Sequence, residues 1–226
     1  STPVSGPLRR EQIDALRFWW LQRMRSTPNP VREKAVLFWH GHWATSQMKV
    51  KAPYLIWQQN ETLRAHALGN FTPFAKEITR DAAMIRYLDL HTSTARSPNE
   101  NFARELMELF TLGEGNYTEM DIREAARAFA GYRTNSATGK FQLAGKLADT
   151  GNKNFFSRSG PLKGDDVVDE LTSQPRCAEF LAGKIWNFYA GGTPSPALLG
   201  ALAGYYRGGK LHTGSLLKKI FLSREF

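Results

Sequence analysis

The stretch LFWHGHWATS, residues 37–46, sets His40 and His42 one residue apart among Phe38, Trp39 and Trp43. An imidazole titrates near neutrality, so it can serve as a general acid or base, as a metal ligand, or as a packed core group with one hydrogen bond. The spacing bears on the choice. On a continuous helix, residues two apart point about 200° away from each other and cannot hold one ion from a single face. Gly41 between them lowers helix propensity and would permit a break that lets the two rings converge. A zinc site would need a third protein ligand, and Asp81, Asp89, His91, Glu105 and Asp121 are all of suitable type. No HExxH, CxxC, GxSxG, Walker or dinucleotide signature is present.

The second dense group of ionisable residues is SPNENFARELMELFTLGEGNYTEMDIREAARAFAGY, residues 97–132. With a helix starting at Pro98, Phe102, Leu106, Leu109 and Phe110 form an apolar stripe, and Asn101, Glu105 and Glu108 fall along a neighbouring face. Glu100, Arg104 and Glu108 stand at successive i,i+4 spacings, the pattern of surface ion pairs. Glu105 flanks the apolar stripe with no basic residue four positions on, which leaves it as a carboxylate for proton transfer. A buried imidazole or carboxylate needs a polar partner. The expectation is therefore one polar centre, with His40 or His42 in direct or one-water reach of Asn101, Glu105 or Glu108, or sharing a metal with one.

The elements that must position these groups read as helices. Apolar residues recur at three and four from Leu8 to Gly131, which predicts helices near 10–25, 30–47, 53–69, 72–88, 98–112 and 118–131. Pro30 and Pro98 suit a first helical turn, and Thr118 with Asp121 resembles a capping box. Residues 132–163, rich in Gly, Ser, Asn and Lys, read as a long loop with a small hairpin. Helical periodicity resumes at 164–173, 175–190, 195–207 and 213–223, with AGGTPSP as the clearest linker. The expected fold is all-α: an irregular multi-helix globular domain with one long loop. It divides into a helical core at 1–131, the loop at 132–163, and a C-terminal helical subdomain at 164–226 packed on the core.

At 226 residues, with 42% hydrophobic content, six Trp and fourteen Phe, the chain can bury a sizeable core. The formal charge of +9 points to an anionic partner such as an acidic polysaccharide or a membrane surface. Its basic residues are scattered in ones and twos, which argues against nucleic acid. The single cysteine, Cys177, lies in a helical apolar pattern and reads as a core residue. There is no apolar run long enough to span a membrane and no signal-peptide core at the N-terminus as given.

The ordered runs REKAVLFWHGHWATS, NETLRAHALGNF, RDAAMIRYLD, PNENFARELMELFTLGEGNYTEMDIREAARAFAGY and CAEFLAGKIWNFY resemble the bacterial family DUF1800. The resemblance implies a mostly helical, commonly exported protein, periplasmic or secreted, with no settled activity. Such proteins are encoded beside sulfatase-like proteins, a pointer to carbohydrate or envelope chemistry. The family's polar signature falls on His40, His42, Asn60, Arg64, Asn70, Asp81, Asp89, Asn99, Glu100, Asn101, Arg104, Glu105, Glu108, Thr111, Tyr117 and Asp121. Where members usually carry a His-Asp pair followed by Gly and Lys, this chain has Ala148 before Asp149, Gly151 and Lys153. Typical members are longer at the N-terminus, so the resemblance implies a fragment, a processed form or a reduced member.

Two readings follow. In the first, an exported hydrolase acts on carbohydrate or envelope material. His40 or His42, Glu105 and Asp121 form its site, Glu105 or a histidine is the base, and Arg104 or Arg64 holds an anionic group. Arg64, Asn99, Glu100, Asn101, Asp149 and Lys153 would contact the ligand, and a divalent metal is left open as cofactor. In the second, the chain is a non-catalytic envelope or surface component whose polar residues form a buried network that fixes helix packing. Its partner would be an anionic polysaccharide or another envelope protein.

Overall fold

The computed structural model describes residues 6–135 and 138–226, with side chains from Arg9 onward. Residues 1–5 and 136–137 of the expected segments lie outside the described residues. The chain is mostly helical, as the periodicity predicts. Its first half holds α1 (Gly6–Ser26), α2 (Pro30–His42), α3 (Gln47–Val50), α4 (Pro53–His66), α5 (Phe71–Thr79), α6 (Ala82–Tyr87), α7 (Glu100–Glu108) and α8 (Glu119–Ala128). Two short antiparallel hairpins follow: β1 (Tyr132–Thr134) with β2 (Phe141–Leu143), and β3 (Lys153–Phe155) with β4 (Arg158–Gly160). The chain ends with α9 (Gly164–Ser173), α10 (Pro175–Ala190), α11 (Pro196–Gly208) and α12 (Thr213–Phe221).

Helix starts are set by side chains that take up the free N–H groups of the first turn. Asn29 accepts from Arg32 N ahead of Pro30, Asn99 accepts from Phe102 N, and Ser195 accepts from Leu198 N ahead of Pro196. Thr118 and Asp121 form the expected capping box, each side chain accepting from the other's backbone. One hydrophobic cluster runs from Ala35 on α2 to Ile220 on α12. Its aromatic centre is Trp39, Trp43, Phe71, Phe74 and Phe110, with ring centroids 4.7 Å apart for Trp43 and Phe110 and 5.5 Å for Trp39 and Phe71. Cys177 is fully buried, as its pattern predicts.

The structure departs from the sequence reading at four joints. The helix read over 30–47 ends at His42, and a separate short helix, α3, follows, its start capped by Ser46, which accepts from Met48 N. The segment read as one helix over 72–88 breaks at Arg80–Asp81, because the Asp81 carboxylate caps a new helix by accepting from Met84 N at 2.9 Å. The Pro98 helix starts two residues late, since Asn99 holds the N-cap and leaves Pro98 outside it. The long loop carries two hairpins rather than one. Lys153 organises the second: its side chain is fully buried and its Nζ donates to the carbonyls of Asp149 at 2.9 Å and Gly151 at 2.8 Å.

Replacing Lys153 by Met keeps the apolar stem and removes the ammonium, which orphans two backbone carbonyls in a buried site. We expect Lys153→Met to destabilise the fold by about 2–4 kcal/mol in urea unfolding; an unchanged midpoint would show that the lysine does not anchor this loop.

Candidate functional site

α2 continues through Gly41 to His42, so the two histidines face opposite ways. Glu33 and His40, seven residues apart, share one face of the helix, and His42 lies on the other. On the His40 face, α1, α2 and α4 enclose a cavity of about 250 Å³ lined by Ile13, Leu16, Arg17, Trp19, Trp20, His40, Thr45, Gln47, Ile56 and Asn60. The His40 ring lies against the Trp20 indole with centroids 5.0 Å apart. It has no protein hydrogen-bond partner among the described residues, and burial holds its pKa below the ordinary imidazole value. His40 is therefore neutral at pH 7, with one nitrogen able to donate and the other able to accept.

A buried ion-pair network backs this cavity. Arg64 on α4 donates to Glu33 on α2 through Nε at 2.6 Å and Nη2 at 3.0 Å, a bidentate pair. Trp20 Nε1 and Arg23 Nε, both on α1, each reach the same carboxylate at 3.3 Å. Burial pushes the Glu33 carboxyl up, but the bonds and charge of Arg64, with Trp20 and Arg23, outweigh it and hold the group below the usual range. The Arg64 guanidinium also lies 5.3 Å from the Trp19 ring centroid. It donates to Asn60 Oδ1 at 2.7 Å, which turns the Asn60 oxygen inward and leaves its amide NH2 as the donor at the cavity wall.

A second chain leads from the cavity into the protein. The Thr45 hydroxyl donates to Gln59 Oε1 at 2.7 Å, and Gln59 Nε2 donates to Asp81 Oδ1 at 2.9 Å. Burial pushes Asp81 up to about 7, against the opposing pull of its bonds from Met84, Gln59 and Ala83. The carboxyl is thus poised to exchange a proton near neutrality.

A model of the family described as "Protein of unknown function (DUF1800)" matches residues 5–226, nearly the whole length of the chain. The chain belongs to the DUF1800 family. No curated protein and no solved structure matches it.

The polar residues that the DUF1800 signature marks divide between the cavity and structural joints. His40 and Asn60 line the cavity, while Arg64 and Asp81 stand directly behind it. His42 is buried among Phe38, Trp39, Trp43, Phe71 and Phe110, and its Nε2 lies 3.1 Å from the Phe110 carbonyl. It meets the α7 segment through that carbonyl; Asn101, Glu105 and Glu108 are not its hydrogen-bond partners. Burial, then the nearby Lys184 charge, hold its pKa well below the ordinary value. Lys184 donates to the neighbouring carbonyl of Leu109 and Arg176 to that of Leu112, so three side chains satisfy the carbonyls that end α7.

The remaining candidates have other partners. Arg104 forms a bidentate pair with Glu119 near the surface, Asp121 is held in its capping box, and Asn99 caps α7 while donating to the Leu88 carbonyl. Glu100 and Asn101 are exposed. Glu105 has no hydrogen-bond partner among the described side chains; burial first and the Glu108 charge second raise its pKa. Asp149 is paired with Arg127 at 2.8 Å and accepts from Gly151 N. Among the described residues, no group of three or more His, Cys, Asp or Glu stands close enough to hold a metal ion.

A larger cavity, about 720 Å³, lies beside the hairpins with Arg80, Tyr132, Ala148, Asp149 and Asp165 in its lining. Arg80 is already held by both Asp165 oxygens, at 2.7 and 2.6 Å, and Asp149 by Arg127. The Arg80, Asp165 and Asp149 charges that line it are therefore paired within the protein. No helix of the described chain is long and apolar enough to cross a membrane.

Sequence reasoning missed Trp19, Trp20, Glu33, Thr45 and Gln59 as contributors. Only Glu33 left a signal: a carboxylate seven residues before His40 on an otherwise apolar helix face. Glu33→Gln removes the buried bidentate partner of Arg64 and leaves it only the half-exposed Glu61 carboxylate, so we expect a loss of about 3 kcal/mol in chemical denaturation; a loss below about 1 kcal/mol, as for exposed ion pairs, would refute the buried role. Asp81 predicts a pH dependence. Its folded-state pKa is raised, so the folded protein binds the proton more tightly than the unfolded chain. That stabilisation is full below pH 3.8, declines as pH rises to about 7, and is absent above. Asp81→Asn keeps the acceptor and should flatten this part of the profile relative to wild type, measured by thermal unfolding from pH 4 to 8.

Proposed function

We propose that this DUF1800 chain is a ligand-binding module whose site is the tryptophan-lined cavity between α1, α2 and α4, with His40 and Asn60 as its polar recognition groups. The observation that carries the reading is the contrast in hydrogen bonding. His40 and Asn60 line an apolar cavity, and the His40 ring and the Asn60 NH2 have no hydrogen-bond partner among the described residues, while the network behind them is paired. Cavities of this kind, mostly apolar with a few oriented polar groups, are where small ligands bind. The Glu33–Arg64 pair and the Thr45–Gln59–Asp81 chain hold the polar groups in place. This makes the buried network part of the binding function and favours the non-catalytic reading over the hydrolase built on His40 or His42 with Glu105, Asp121 and Arg104.

Hydrolysis remains a second reading in a narrower form. A neutral, half-buried imidazole in a cavity is equipped to act as a general base on a bound water, with Asn60 as a donor to the substrate. Carbohydrate or envelope material is the substrate class that the family resemblance supports, and the same resemblance supports a periplasmic or secreted location. Cell fractionation of the full-length protein tests the location.

Ligand binding is tested by titrating the protein with small apolar alcohols such as octanol while following the Trp20 indole and His40 resonances by NMR. Saturable shifts in both, weakened at least fivefold in a folded His40→Ala/Asn60→Ala variant, are expected. Shifts elsewhere, or none, would remove the site. Hydrolysis of an ester and glycoside panel that disappears in His40→Asn would establish the second reading, whereas equal rates in both proteins would end it.

A further inference from the structure

The cavity does not end at its tryptophans. Ile13, Arg17 and Gln47 line it and also line a neighbouring concavity of about 390 Å³, so the two share a wall and form one recess with a deep and an outer part. The deep part is walled by Trp19, Trp20, Ile13 and Ile56. The outer part is bordered by Arg9, Arg10, Arg17 and Lys51 against one carboxylate, Asp14, which is paired with Arg17 at 2.9 Å. Arg10 and Lys51 have no ion-pair partner among the described residues. With Arg17 set against Asp14, Arg10 and Lys51 leave this rim net positive at the mouth of an apolar pocket.

Lys51 adds a backbone observation. It closes α3 in the left-handed conformation, φ 58° and ψ 7°, which a residue with a side chain adopts at a cost. Glycine would fill this position without strain. A lysine held there at the rim places a cation where conformation alone would favour none.

Apolar walls below a cationic rim match a molecule with the complementary polarity. We propose that the recess binds an amphipathic phosphate ester, with its apolar body against Trp19 and Trp20 and its dianionic head at Arg10, Arg17 and Lys51. A dianion suits the net charge of the rim better than a carboxylate. A water-sized group takes up roughly 30 Å³, so the 250 Å³ cavity admits a body of about eight methylene-sized groups. Within the deep part His40, neutral, and Asn60 line the same cavity as the tryptophans and can meet an ester or hydroxyl oxygen of the ligand. The inference rests on the binding reading above and adds the ligand's charge and polarity.

The test compares octyl phosphate, below its micelle concentration, with octanol and inorganic phosphate, each titrated against the intact chain with Trp20 and His40 as NMR reporters. The expected result is that octyl phosphate binds at least tenfold tighter than octanol at the same residues. Its affinity should fall as NaCl rises from about 0.05 to 0.5 M, since screening at the rim is strong there. Arg10→Gln/Lys51→Gln, at solvent-facing positions, should weaken octyl phosphate about tenfold and leave octanol unchanged. Equal, salt-independent binding of octyl phosphate and octanol would overturn the anionic head while leaving the pocket reading intact. Binding of neither would overturn both, and equal binding of inorganic phosphate alone would overturn the amphipathic match. Sedimentation with phosphatidic acid but not phosphatidylcholine vesicles, lost in the double variant, would place the phosphate on a membrane lipid. Octyl phosphate binding without such sedimentation would place it on a free ester.

Discussion

The architecture around the cavity depends on one buried ion pair, Arg64 with Glu33. α1 contributes little apolar burial of its own: Ile13 is buried, whereas Phe18 and Leu21 are 63% and 61% exposed. Its attachment to the bundle comes largely through Trp20 and Arg23, which donate to the Glu33 carboxylate, and through Trp19, which lies against the Arg64 and Arg23 guanidiniums. Removing two charges from water is costly, and their attraction offsets this only when geometry is good and the leftover valences are filled. Here the geometry is bidentate, and the rest of the guanidinium is taken by Asn60 and Glu61. The same pair thus joins three helices and orients the asparagine at the cavity wall. A hydrophobic substitute could pack as well but could not direct an amide.

A comparable economy governs α7. Past its end the chain turns through buried Phe110, Thr111 and Leu112, where carbonyls without donors would be strongly unfavourable. His42 from α2, with Lys184 and Arg176 from α10, supplies the donors. Thr111 completes the set from within the turn, its hydroxyl donating to the Leu106 carbonyl at 2.7 Å. Gly113, at φ +81°, lets the chain leave with Phe180 and Arg176 packed closely over it. The ionisable residues of the segment itself serve other joints: Arg104 pairs with Glu119, Arg127 with Glu124 and Asp149, and Asp121 caps α8.

The two histidines consequently belong to different physical regimes. His42 is enclosed by aromatic rings and committed to a backbone carbonyl, so its neutrality serves packing. His40 keeps one side open to a cavity, so the same neutrality leaves a donor and an acceptor available to a visitor. About half a helical turn separates the structural use of an imidazole from the chemical one. That separation is why function here follows from solvent access and unused hydrogen-bonding capacity rather than from residue type.

Much of this protein was determined locally. The helices and their starts follow from apolar periodicity and from Asn29, Thr118 and Ser195, whose side chains act on N–H groups within four residues. The opposite orientation of His40 and His42 likewise follows from helix geometry once the helix is continuous. Asp81 was harder to read, because a capping aspartate inside an apolar stretch looks the same as a polar residue on a helix face until the turn is seen. The pairing of Glu33 with Arg64, thirty-one residues apart, was decided only by tertiary structure, as was the route from Thr45 through Gln59 to Asp81. Composition and spacing list which groups can bond. Which of them remain unbonded, and therefore free to meet a ligand, depends on burial and on partners brought together by folding, and no local pattern encodes that.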